Sequence, residues 1–419
     1  MKLRKLQSQE ILTSICFCDN NLPKVFCISH NGKDYPFMKA IVLGLGLQGK
    51  AVIHDLSKNP LVDELVGADM DTASAEEFLK RGSYPNVRLQ RLDASSRQDL
   101  VDCMRQSRAD IVVCMLPAFL AHTVAEACIE VGLAFVNSSY ARWVADLDAK
   151  ARQREVTILP EMGFDPGIDL ILCGIAVSGL DEVHGLYSYG LGVPEPSAAD
   201  NALKYKITWT FEGVLNAYRR PARLLKDGQE VEVPGNEIFR EENIHLIEVP
   251  GVGTLEAYPN GDAIQFIDLF GLARPKLRSM GRFAARWPGH CAFWRVMAEM
   301  GFLEDEPLQF LVRHLTPRLQ YRDTERDVAV LRIEAWGLKD GRKLKLIYEV
   351  IDYRDLESGL FAMNRTVGFT ASIAAQMILS GEVRKPGVLS PISDIPGERV
   401  LEELKLRDIQ VLKRVEEMP

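Results

Sequence analysis

Three glycines near residue 44 have the spacing of a dinucleotide-binding turn. Gly44, Gly46 and Gly49 form a G-x-G-x-x-G pattern that follows a short apolar run and opens a stretch with helical spacing. In such a turn the first glycine permits the tight bend, the second lets the backbone approach a pyrophosphate, and the third lets the helix pack closely on the strand. The N–H groups at the start of the helix then bind the phosphates. The predicted phosphate-binding residues are Gly44, Leu45, Gly46, Leu47, Gln48 and Gly49.

The choice of cofactor is predicted to depend on Asp69. The second predicted strand ends at this residue, 20 residues after Gly49. A carboxylate here accepts hydrogen bonds from the ribose hydroxyls and repels the additional 2′-phosphate of NADP. Asp71 adds a second negative charge, and no Lys or Arg follows until Lys80. The sequence therefore favours NAD, with NADP as the alternative, and places Asp69 and Met70 at the ribose.

Alternating strands and helices are predicted to position this turn. Short apolar runs end at Asp93-Ala94, at Pro117 and at Asn137-Ser138, with a helical pattern over 118–131 between the last two. Strands that alternate with helices predict a parallel, doubly wound sheet. Because ligands bind at the carboxyl ends of such strands, further cofactor contacts are predicted at Asp93, Ala94, Pro117 and Ser138.

The pattern changes after Pro160. Residues 161–169 read as a loop, since the Asp-Pro-Gly step at Asp165 cannot continue a helix. Alternating strands dominate downstream, and two pairs of them are joined by Asp227-Gly228 and by Asp340-Gly341, a dipeptide typical of tight hairpins. An antiparallel or mixed sheet with interspersed helices is therefore predicted.

These patterns together predict an α/β protein. A Rossmann dinucleotide-binding domain occupies 38–160, and an α+β substrate-binding domain with a mixed or antiparallel sheet occupies 161–352. A helical segment over 353–419 is predicted to pack back on the nucleotide domain. The large second sheet makes a homodimer the expected assembly.

Composition and charge exclude several classes of partner. The chain has 419 residues, with 50 Lys and Arg against 58 Asp and Glu, and a formal net charge of −8. An acidic chain with dispersed positive charge binds polyanions poorly, so neither a nucleic-acid nor a membrane partner is predicted. No apolar run approaches the roughly 20 residues that span a bilayer. The eight cysteines include no C-x-x-C pair, which favours a reducing, cytoplasmic compartment.

Residues 1–37 differ in character from the rest of the chain. A polar stretch from Gln7 to Glu10 interrupts any apolar signal core, which argues against a secretory peptide. A buried-strand pattern begins abruptly at Met38, so we expect 1–37 to be a disordered extension or to precede the true start. Cys16, Cys18 and Cys27 resemble part of a metal cluster, but no second pair supports one and no metal site is predicted.

Two loops resemble those of the saccharopine dehydrogenase (saccharopine reductase) family. They are Gly44-Leu45-Gly46-Leu47-Gln48-Gly49 and Gly163-Phe164-Asp165-Pro166-Gly167-Ile168-Asp169. Shorter matches are Pro194-Glu195-Pro196, Asp200-Asn201, Tyr205-Lys206-Ile207-Thr208-Trp209, Lys226-Asp227-Gly228, Val233-Pro234-Gly235 and Tyr258-Pro259-Asn260. The resemblance extends from Met38 to the C-terminus. The segment from Arg286 to His290 is compatible both with saccharopine dehydrogenases and with the lysine 6-dehydrogenases of the same family.

The resemblance implies an oxidoreductase that acts on a carbon–nitrogen bond of a lysine-derived amino acid. In saccharopine reductases the secondary amine is oxidised by hydride transfer to the nicotinamide. Water then splits the imine into 2-aminoadipate 6-semialdehyde and glutamate, and the reverse condensation is also catalysed. Lysine 6-dehydrogenase oxidises the same carbon but releases ammonia. A non-catalytic nucleotide-binding sensor is a third interpretation, against which Asp165 and Arg286 argue because a sensor needs neither.

The resemblance also implies roles for individual residues. Asp165 matches an aspartate between substrate and nicotinamide and is the predicted catalytic residue, since a carboxylate there can take the amine proton or steer the attacking water. Arg286 matches an arginine that holds a substrate carboxylate, for which a guanidinium is suited. Further predicted substrate contacts are Ser139, Tyr140, Gly163 and Trp209, and the residues predicted to flank Asp165 against the cofactor are Phe164 and Pro166.

Each of these assignments has a purely structural alternative. Asp165 could be a helix N-cap or a turn residue, positions that favour aspartate. Arg286 could form a surface ion pair, because arginine is mostly exposed. Trp209 and Tyr140 could be core aromatics, and His290 is expected to be structural or to bond a backbone carbonyl.

One position departs from the family pattern. Many saccharopine reductases have Pro-Asn-Arg-Asp where this chain has Pro259-Asn260-Gly261-Asp262. The missing arginine is one that would bind a second carboxylate, and each lost charged hydrogen bond costs about 1.5–3 kcal/mol. Arg282 is the predicted substitute; without one, the substrate has fewer carboxylates, as lysine does.

Overall fold

The computed structural model describes residues 27–30, 33–36 and 38–419. The first two ranges are strands β1 (Cys27–His30) and β2 (Lys33–Pro36), which pair antiparallel. The predictions made for the rest of 1–37, including those for Cys16 and Cys18, lie outside these residues. No helix among the residues described is long and apolar enough to cross a membrane.

The first half of the described chain forms a parallel sheet flanked by helices. Its strands are β3 (Met38–Leu43), β4 (Val62–Asp69), β5 (Val87–Arg91), β6 (Ile111–Cys114), β7 (Ala134–Asn137) and β8 (Thr157–Leu159). Its helices are α1 (Leu47–Leu56), α2 (Ala73–Lys80), α3 (Arg97–Ser107), α4 (Ala121–Val131) and α5 (Asp148–Gln153). With β17 (Gly387–Val388) from the C-terminal segment, the seven strands run in the order β17-β8-β7-β6-β3-β4-β5. The predicted doubly wound parallel sheet is confirmed.

Strand β3 shows why this sheet folds as it does. Strands of a parallel sheet are covered on both faces and therefore read as continuous apolar runs. Ala40 and Val42 point into the core formed with α1, whereas Ile41 and Leu43 point into the core on the opposite face. The order of the strands reverses between β3 and β6, and the cleft at that point is where such folds bind nucleotides.

The second half forms a mixed sheet of nine strands. Its strands are β9 (Glu182–Pro194), β10 (Ala222–Lys226), β11 (Gln229–Val233), β12 (His245–Val249), β13 (Gly253–Pro259), β14 (Ser279–Arg286), β15 (Asp327–Lys339), β16 (Arg342–Tyr353) and β18 (Val411–Glu417). Its helices are α6 (Ile168–Ser178), α7 (Phe211–Tyr218), α8 (His290–Glu299) and α9 (Asp305–Leu315). The path is β11-β10-β14-β9-β15-β16-β18, with the β12–β13 hairpin joined at β14. Only the β14–β9 pairing is parallel.

Both predicted Asp-Gly hairpins are confirmed. Asp227 and Gly228 have φ of 51° and 81°, and Asp340 and Gly341 have φ of 49° and 74°. A two-residue hairpin turn of this type needs positive φ at both central positions, which aspartate and glycine tolerate better than most residues.

The C-terminal segment connects the two sheets. Helix α10 (Ala362–Leu379) packs on α1, where a Cβ at Gly368 would lie 2.6 Å from the Cβ of Ala51. Helix α11 (Gly397–Lys405) follows. The prediction that 353–419 is helical was incomplete, because β17 extends the parallel sheet and β18 extends the mixed one. Strand β18 is an edge strand whose residues are mostly exposed, so it lacks the apolar alternation that identifies a strand in sequence.

Candidate active site

A cavity of about 530 Å³ lies between the nucleotide sheet and the mixed sheet. The nucleotide half lines it with Gln48, Met115, Pro117, Ala118, Ser138 and Ser139. The second half lines it with residues that include Asp165, Trp209, Tyr218, Tyr258, Asn260 and Arg286, and α10 contributes Met363 and Val367. The cavity therefore lies at the carboxyl ends of the parallel strands, where nucleotides bind in this fold.

The glycine-rich turn has the shape that a dinucleotide needs. A Cβ at Gly49 would lie 1.8 Å from the carbonyl oxygen of Gly44, and one at Gly44 would lie 2.8 Å from the backbone of Met115. A Cβ at Gly46, by contrast, would meet nothing within 4 Å. No side chain caps the start of α1, so its N–H groups remain available to phosphate oxygens. Gly44 and Gly49 thus serve packing, and Gly46 leaves room for a ligand.

The acidic residue after β4 is bound to the same turn. Asp69 Oδ2 accepts a hydrogen bond from the backbone N–H of Leu45 at 2.6 Å, and Oδ1 accepts one from that of Asp71 at 3.2 Å. The Leu45 side chain is a core residue, whereas the Met70 side chain is 60% exposed. The structure thus brings Asp69, which is predicted to bind the ribose, into contact with the glycine-rich turn, which is predicted to bind the phosphates.

The other predicted cofactor residues divide into two groups. Gln48, Pro117, Ser138 and Phe164 line the cavity. Asp93 does not, because its carboxylate lies at the exposed edge of the sheet and accepts hydrogen bonds from the backbone and the hydroxyl of Ser95. These two hydrogen bonds lower the pKa of Asp93. Ala94 is buried in the core of the nucleotide domain.

The loop before α6 presents Asp165 to the cavity. Gly163 donates its N–H to the Pro166 carbonyl at 3.0 Å and accepts a hydrogen bond from the N–H of Ile168 at 3.0 Å. A Cβ at Gly163 would lie 2.9 Å from that of Ser138, so this glycine lets the loop pack on the nucleotide half rather than line the cavity. Pro166 is buried and follows a cis peptide bond.

Asp165 is not a helix cap. The N-cap of α6 is Gly167, whose N–H donates to Asp169 Oδ1 at 2.7 Å, so Asp169 performs the local structural role. The Asp165 side chain is 18% exposed and lines the cavity. Strand β9 leaves room for it at Gly190, where a Cβ would lie 2.6 Å from Asp165 Oδ2. The alternative of an N-cap aspartate was therefore wrong, whereas the alternative of a turn residue is confirmed, because Asp165 lies in a turn.

Arg282, a predicted substrate contact, is paired with two carboxylates of the protein. Its guanidinium forms ion pairs with Asp165 and, at 2.7 Å, with Asp169. It also lies over the ring of Phe266 at 4.8 Å and does not line the cavity. Burial raises the pKa of Asp169 although Arg282 opposes the shift. Two carboxylates inside the protein need a cation, and Arg282 supplies it.

Arg286 does face the cavity. Its side chain is buried, with one terminal nitrogen donating to the Ala285 carbonyl at 2.8 Å and its charge centre 5.4 Å from the ring of Tyr205. Among the described residues its Nε has no hydrogen-bond partner and its guanidinium has no carboxylate partner. The alternative of a surface ion pair was therefore wrong, because Arg286 is buried and has no carboxylate partner among the described residues. A buried cation without an anion is an incomplete site.

Of the two aromatic residues predicted to contact substrate, Trp209 lines the cavity and Tyr140 does not. Trp209 lines the cavity and packs over Gly213, where a Cβ would lie 2.5 Å from the indole ring. Tyr140 does not line the cavity and lies 5.3 Å from the guanidinium of Arg142 and 5.8 Å from that of Arg282. Its neighbour Ser139 does line the cavity.

Sequence reasoning missed several residues of the site. Tyr218 and Met363 line the cavity but come from separate elements, and no local spacing connects them. Tyr258 also lines the cavity and belongs to a motif that carries the family resemblance, but no role was predicted for it. Glu161 is buried with φ of 61° and accepts the N–H of Ala141 at 3.1 Å, which fixes the segment that follows Ser139. A positive φ at a residue other than glycine is strained, but it leaves no signal in a sequence.

Comparison with known proteins gives consistent results. The family model "Saccharopine dehydrogenase NADP binding domain" matches residues 40–159, and "Saccharopine dehydrogenase C-terminal domain" matches residues 163–409. The chain is 25% identical to the mitochondrial alpha-aminoadipic semialdehyde synthase of Bos taurus over 88% of its own length and 47% of that protein. It therefore spans about half the length of these mammalian relatives.

Two further comparisons cover the other proteins almost entirely. The chain is 25% identical to saccharopine dehydrogenase [NADP(+), L-glutamate-forming] of Saccharomyces cerevisiae over 87% of this chain and 96% of that one. The solved structure of the apo, L-glutamate-forming saccharopine dehydrogenase from Saccharomyces cerevisiae superposes with a TM-score of 0.80 at 22% identity, covering 90% of this chain and 100% of that one. This likeness establishes the fold.

Proposed function

The chain belongs to the saccharopine dehydrogenase family, and from this premise we propose that it oxidises the carbon–nitrogen bond of saccharopine, yielding 2-aminoadipate 6-semialdehyde and glutamate, or catalyses the reverse reaction. The observation that supports this most is the placement of Asp165 and Arg286 on the wall of one cavity that also reaches the glycine-rich turn. A bound nicotinamide supplies the hydride acceptor. The residues that would hold it are those of the turn, with Asp69 at the ribose.

Asp165 is the proposed proton acceptor. Hydride loss from a carbon next to nitrogen requires the neutral amine, so a base must take the amine proton. Asp165 has one oxygen toward Arg282 and a side chain that still reaches the cavity. The same carboxylate can orient the water that attacks the imine. Arg282 keeps it in place, and Arg286 binds a substrate carboxylate in the same cavity.

Lysine 6-dehydrogenase is the second candidate, and one observation favours it. Gly261 occupies the place of the family arginine that would bind a second carboxylate, and a Cβ there would meet nothing within 4 Å. Arg282 is paired with Asp165 and Asp169, which argues against its taking the place of that arginine. Without that arginine, this chain suits a substrate with fewer carboxylates, such as lysine, better than a family member with the arginine would.

The preference between the two cofactors is a separate proposal. The names of the matching nucleotide-domain model and of the yeast relative specify NADP. In this chain the ribose end carries Asp69 and Asp71, and two carboxylates repel a 2′-phosphate. We propose that these residues shift the preference of this chain toward NAD.

A product assay distinguishes the candidates. Purified protein is mixed with NAD or NADP and with saccharopine or lysine, and nicotinamide absorbance, glutamate and ammonia are followed. Reduction with glutamate release on saccharopine supports the proposal, whereas reduction with ammonia release on lysine supports the second candidate. Tight cofactor binding with neither reaction would identify a sensor and refute both enzymes.

Compartment and assembly are also proposals. The composition favours the cytoplasm, although the mammalian relatives are named as mitochondrial. A homodimer is expected from the large mixed sheet, and light scattering of the full chain tests it.

A further inference from the structure

The helix that lines the cavity, α7, is followed by an arginine that the proposed reaction does not use. Val214, Ala217 and Tyr218 of this helix line the cavity. Beyond its end, the N–H of Arg220 still donates to the carbonyl oxygen of Ala217, at 3.4 Å. Residues three apart in such a turn lie on the same face, so Arg220 follows Ala217 along the face that borders the cavity. Arg220 itself is exposed.

The surroundings of Arg220 include the residue that is central to the proposed reaction. The ionisable side chains around its guanidinium are those of Tyr140, Arg142 and Asp165. Asp165 lines the cavity and forms its ion pair with Arg282 instead. Arg142, whose guanidinium lies 5.3 Å from the ring of Tyr140, adds a second positive charge. This edge of the cavity therefore attracts an anion.

Arg220 is also close in the fold to the position where the family arginine is missing. The backbone N–H of Arg223, in β10, donates to the Gly261 carbonyl oxygen at 3.0 Å, and the Arg223 carbonyl accepts the N–H of Ala263 at 2.9 Å. Asn260, in the same loop, lines the cavity. Because Arg220 precedes Arg223 by only three residues, its long side chain starts next to the loop in which Gly261 contributes no charge.

The neighbouring arginines already have partners. Arg223 forms an ion pair with Asp262 at 3.1 Å, and Arg219 forms one with Asp305. Arg220, which lies between them in the sequence, has no carboxylate partner among the described residues. Its guanidinium is therefore free to bind an anionic ligand.

We infer that Arg220 binds a carboxylate of the glutamate part of the substrate and supplies the charge that many family members place at the position of Gly261. An arginine suits this role because its planar fork can bind both oxygens of a carboxylate. The inference rests on the proposed function in one respect: saccharopine has this glutamate part and lysine does not. With Arg220 in this role, Gly261 no longer favours a substrate with fewer carboxylates.

The test is equilibrium binding to the NADH-loaded full-length protein, measured by titration calorimetry. The probes are saccharopine and L-lysine, which share the lysine part and differ in the glutamate part. Arg220→Gln should weaken saccharopine binding about tenfold to a hundredfold, the range expected for a hydrogen bond to a charged group, and should leave lysine binding unchanged. Arg219→Gln is the matched control, because it removes the adjacent exposed arginine, and it should change neither affinity.

Three results would overturn the inference. They are an unchanged affinity for saccharopine in Arg220→Gln, an equal loss for both probes, which would make Arg220 a structural residue, and a wild-type protein that binds saccharopine no more tightly than lysine. Because the measurement needs no turnover, a selective loss in Arg220→Gln without any oxidation of saccharopine by the wild type would refute the proposed function alone. Oxidation of saccharopine together with an unchanged affinity in Arg220→Gln would refute the inference alone.

Discussion

Asp165 and Arg282 form an ion pair in which only the carboxylate lines the cavity. The guanidinium lies behind it and also pairs with Asp169 at 2.7 Å. Removing one member of such a buried group leaves an uncompensated charge, which costs more than the group contributes when complete. We therefore interpret Arg282 as the residue that fixes Asp165 in the cavity wall.

Asp165→Asn should abolish most of the activity while leaving cofactor binding intact. The amide keeps the size of the side chain but cannot accept the amine proton, and general base catalysis is worth about 10²–10⁴-fold in rate. The comparison is kcat for saccharopine in the variant and the wild type, with cofactor affinity measured by fluorescence. A kcat equal to that of the wild type would remove Asp165 from the reaction.

Arg282→Met should destabilise the protein by about 3–5 kcal/mol, because it leaves two carboxylates without their cation. Adding Asp169→Asn should recover part of the loss. Arg223→Met is a suitable control, since Arg223 pairs with Glu230 at 2.8 Å on the exposed surface and such pairs are worth about 0–1 kcal/mol. The free energy of unfolding of each variant is measured by urea denaturation. Equal losses at Arg282 and Arg223 would contradict the burial argument.

Gly49→Ala should lower the stability of the protein, whereas Gly46→Ala should lower its affinity for the cofactor. The Gly49 variant places a Cβ against the Gly44 carbonyl and should disrupt the turn and lower stability. The Gly46 variant meets no protein atom within 4 Å and should fold normally but bind the cofactor more weakly. Thermal unfolding and cofactor titration separate the two effects. Normal cofactor affinity in Gly46→Ala would show that the pyrophosphate lies elsewhere.

Asp69→Ala should weaken NAD binding and reduce the preference for NAD over NADP. The variant loses the acceptor for the ribose hydroxyls and the charge that repels a 2′-phosphate. It also leaves the N–H of Leu45 without its partner at 2.6 Å. The informative quantity is the ratio of kcat/KM for the two cofactors, and an unchanged ratio would show that Asp69 does not select between them.

Asp327 should make stability depend on pH. Its carboxylate accepts the N–H groups of Ala362 and Met363 at the start of α10, and burial raises its pKa to about 7. The native state then binds more protons than the unfolded state between about pH 4 and about pH 7, so its contribution to stability falls as pH rises through that window. Asp327→Asn should show a smaller fall, measured by urea unfolding at both ends. Identical pH profiles would contradict the shift.

Local patterns predicted the parts of the fold that local physics determines. The glycine turn, the strand ending at Asp69 and both Asp-Gly hairpins follow from backbone conformations that few residues adopt. Strand β18 could not be predicted, because an edge strand needs no apolar alternation. Its place in the mixed sheet depends on pairing with β16, and that pairing is not encoded nearby in the chain.

In the candidate site, too, some residues could be predicted from the sequence, whereas others depend on contacts between distant parts of the chain. Asp165 and Arg286 could be identified from the family resemblance, and the structure places both on the cavity wall. The resemblance could not show that Arg282 serves Asp165 and Asp169, because competition for a cation depends on distances in three dimensions. The expectation that His290 is structural or bonds a backbone carbonyl is confirmed by its contact with the Leu203 carbonyl at 3.3 Å. Tyr218 was missed for the same reason as the role of Arg282, because its hydrogen bond to His290 forms only when α7 and α8 pack.

The most direct test of the central claim is the crystal structure of the complex with NADH and saccharopine. We expect the secondary amine within about 2.6–3.2 Å of the Asp165 carboxylate, or one water away from it, with the nicotinamide on the opposite side of the reacting carbon. A substrate amine held elsewhere in the cavity, with Asp165 in contact only with Arg282, would contradict it.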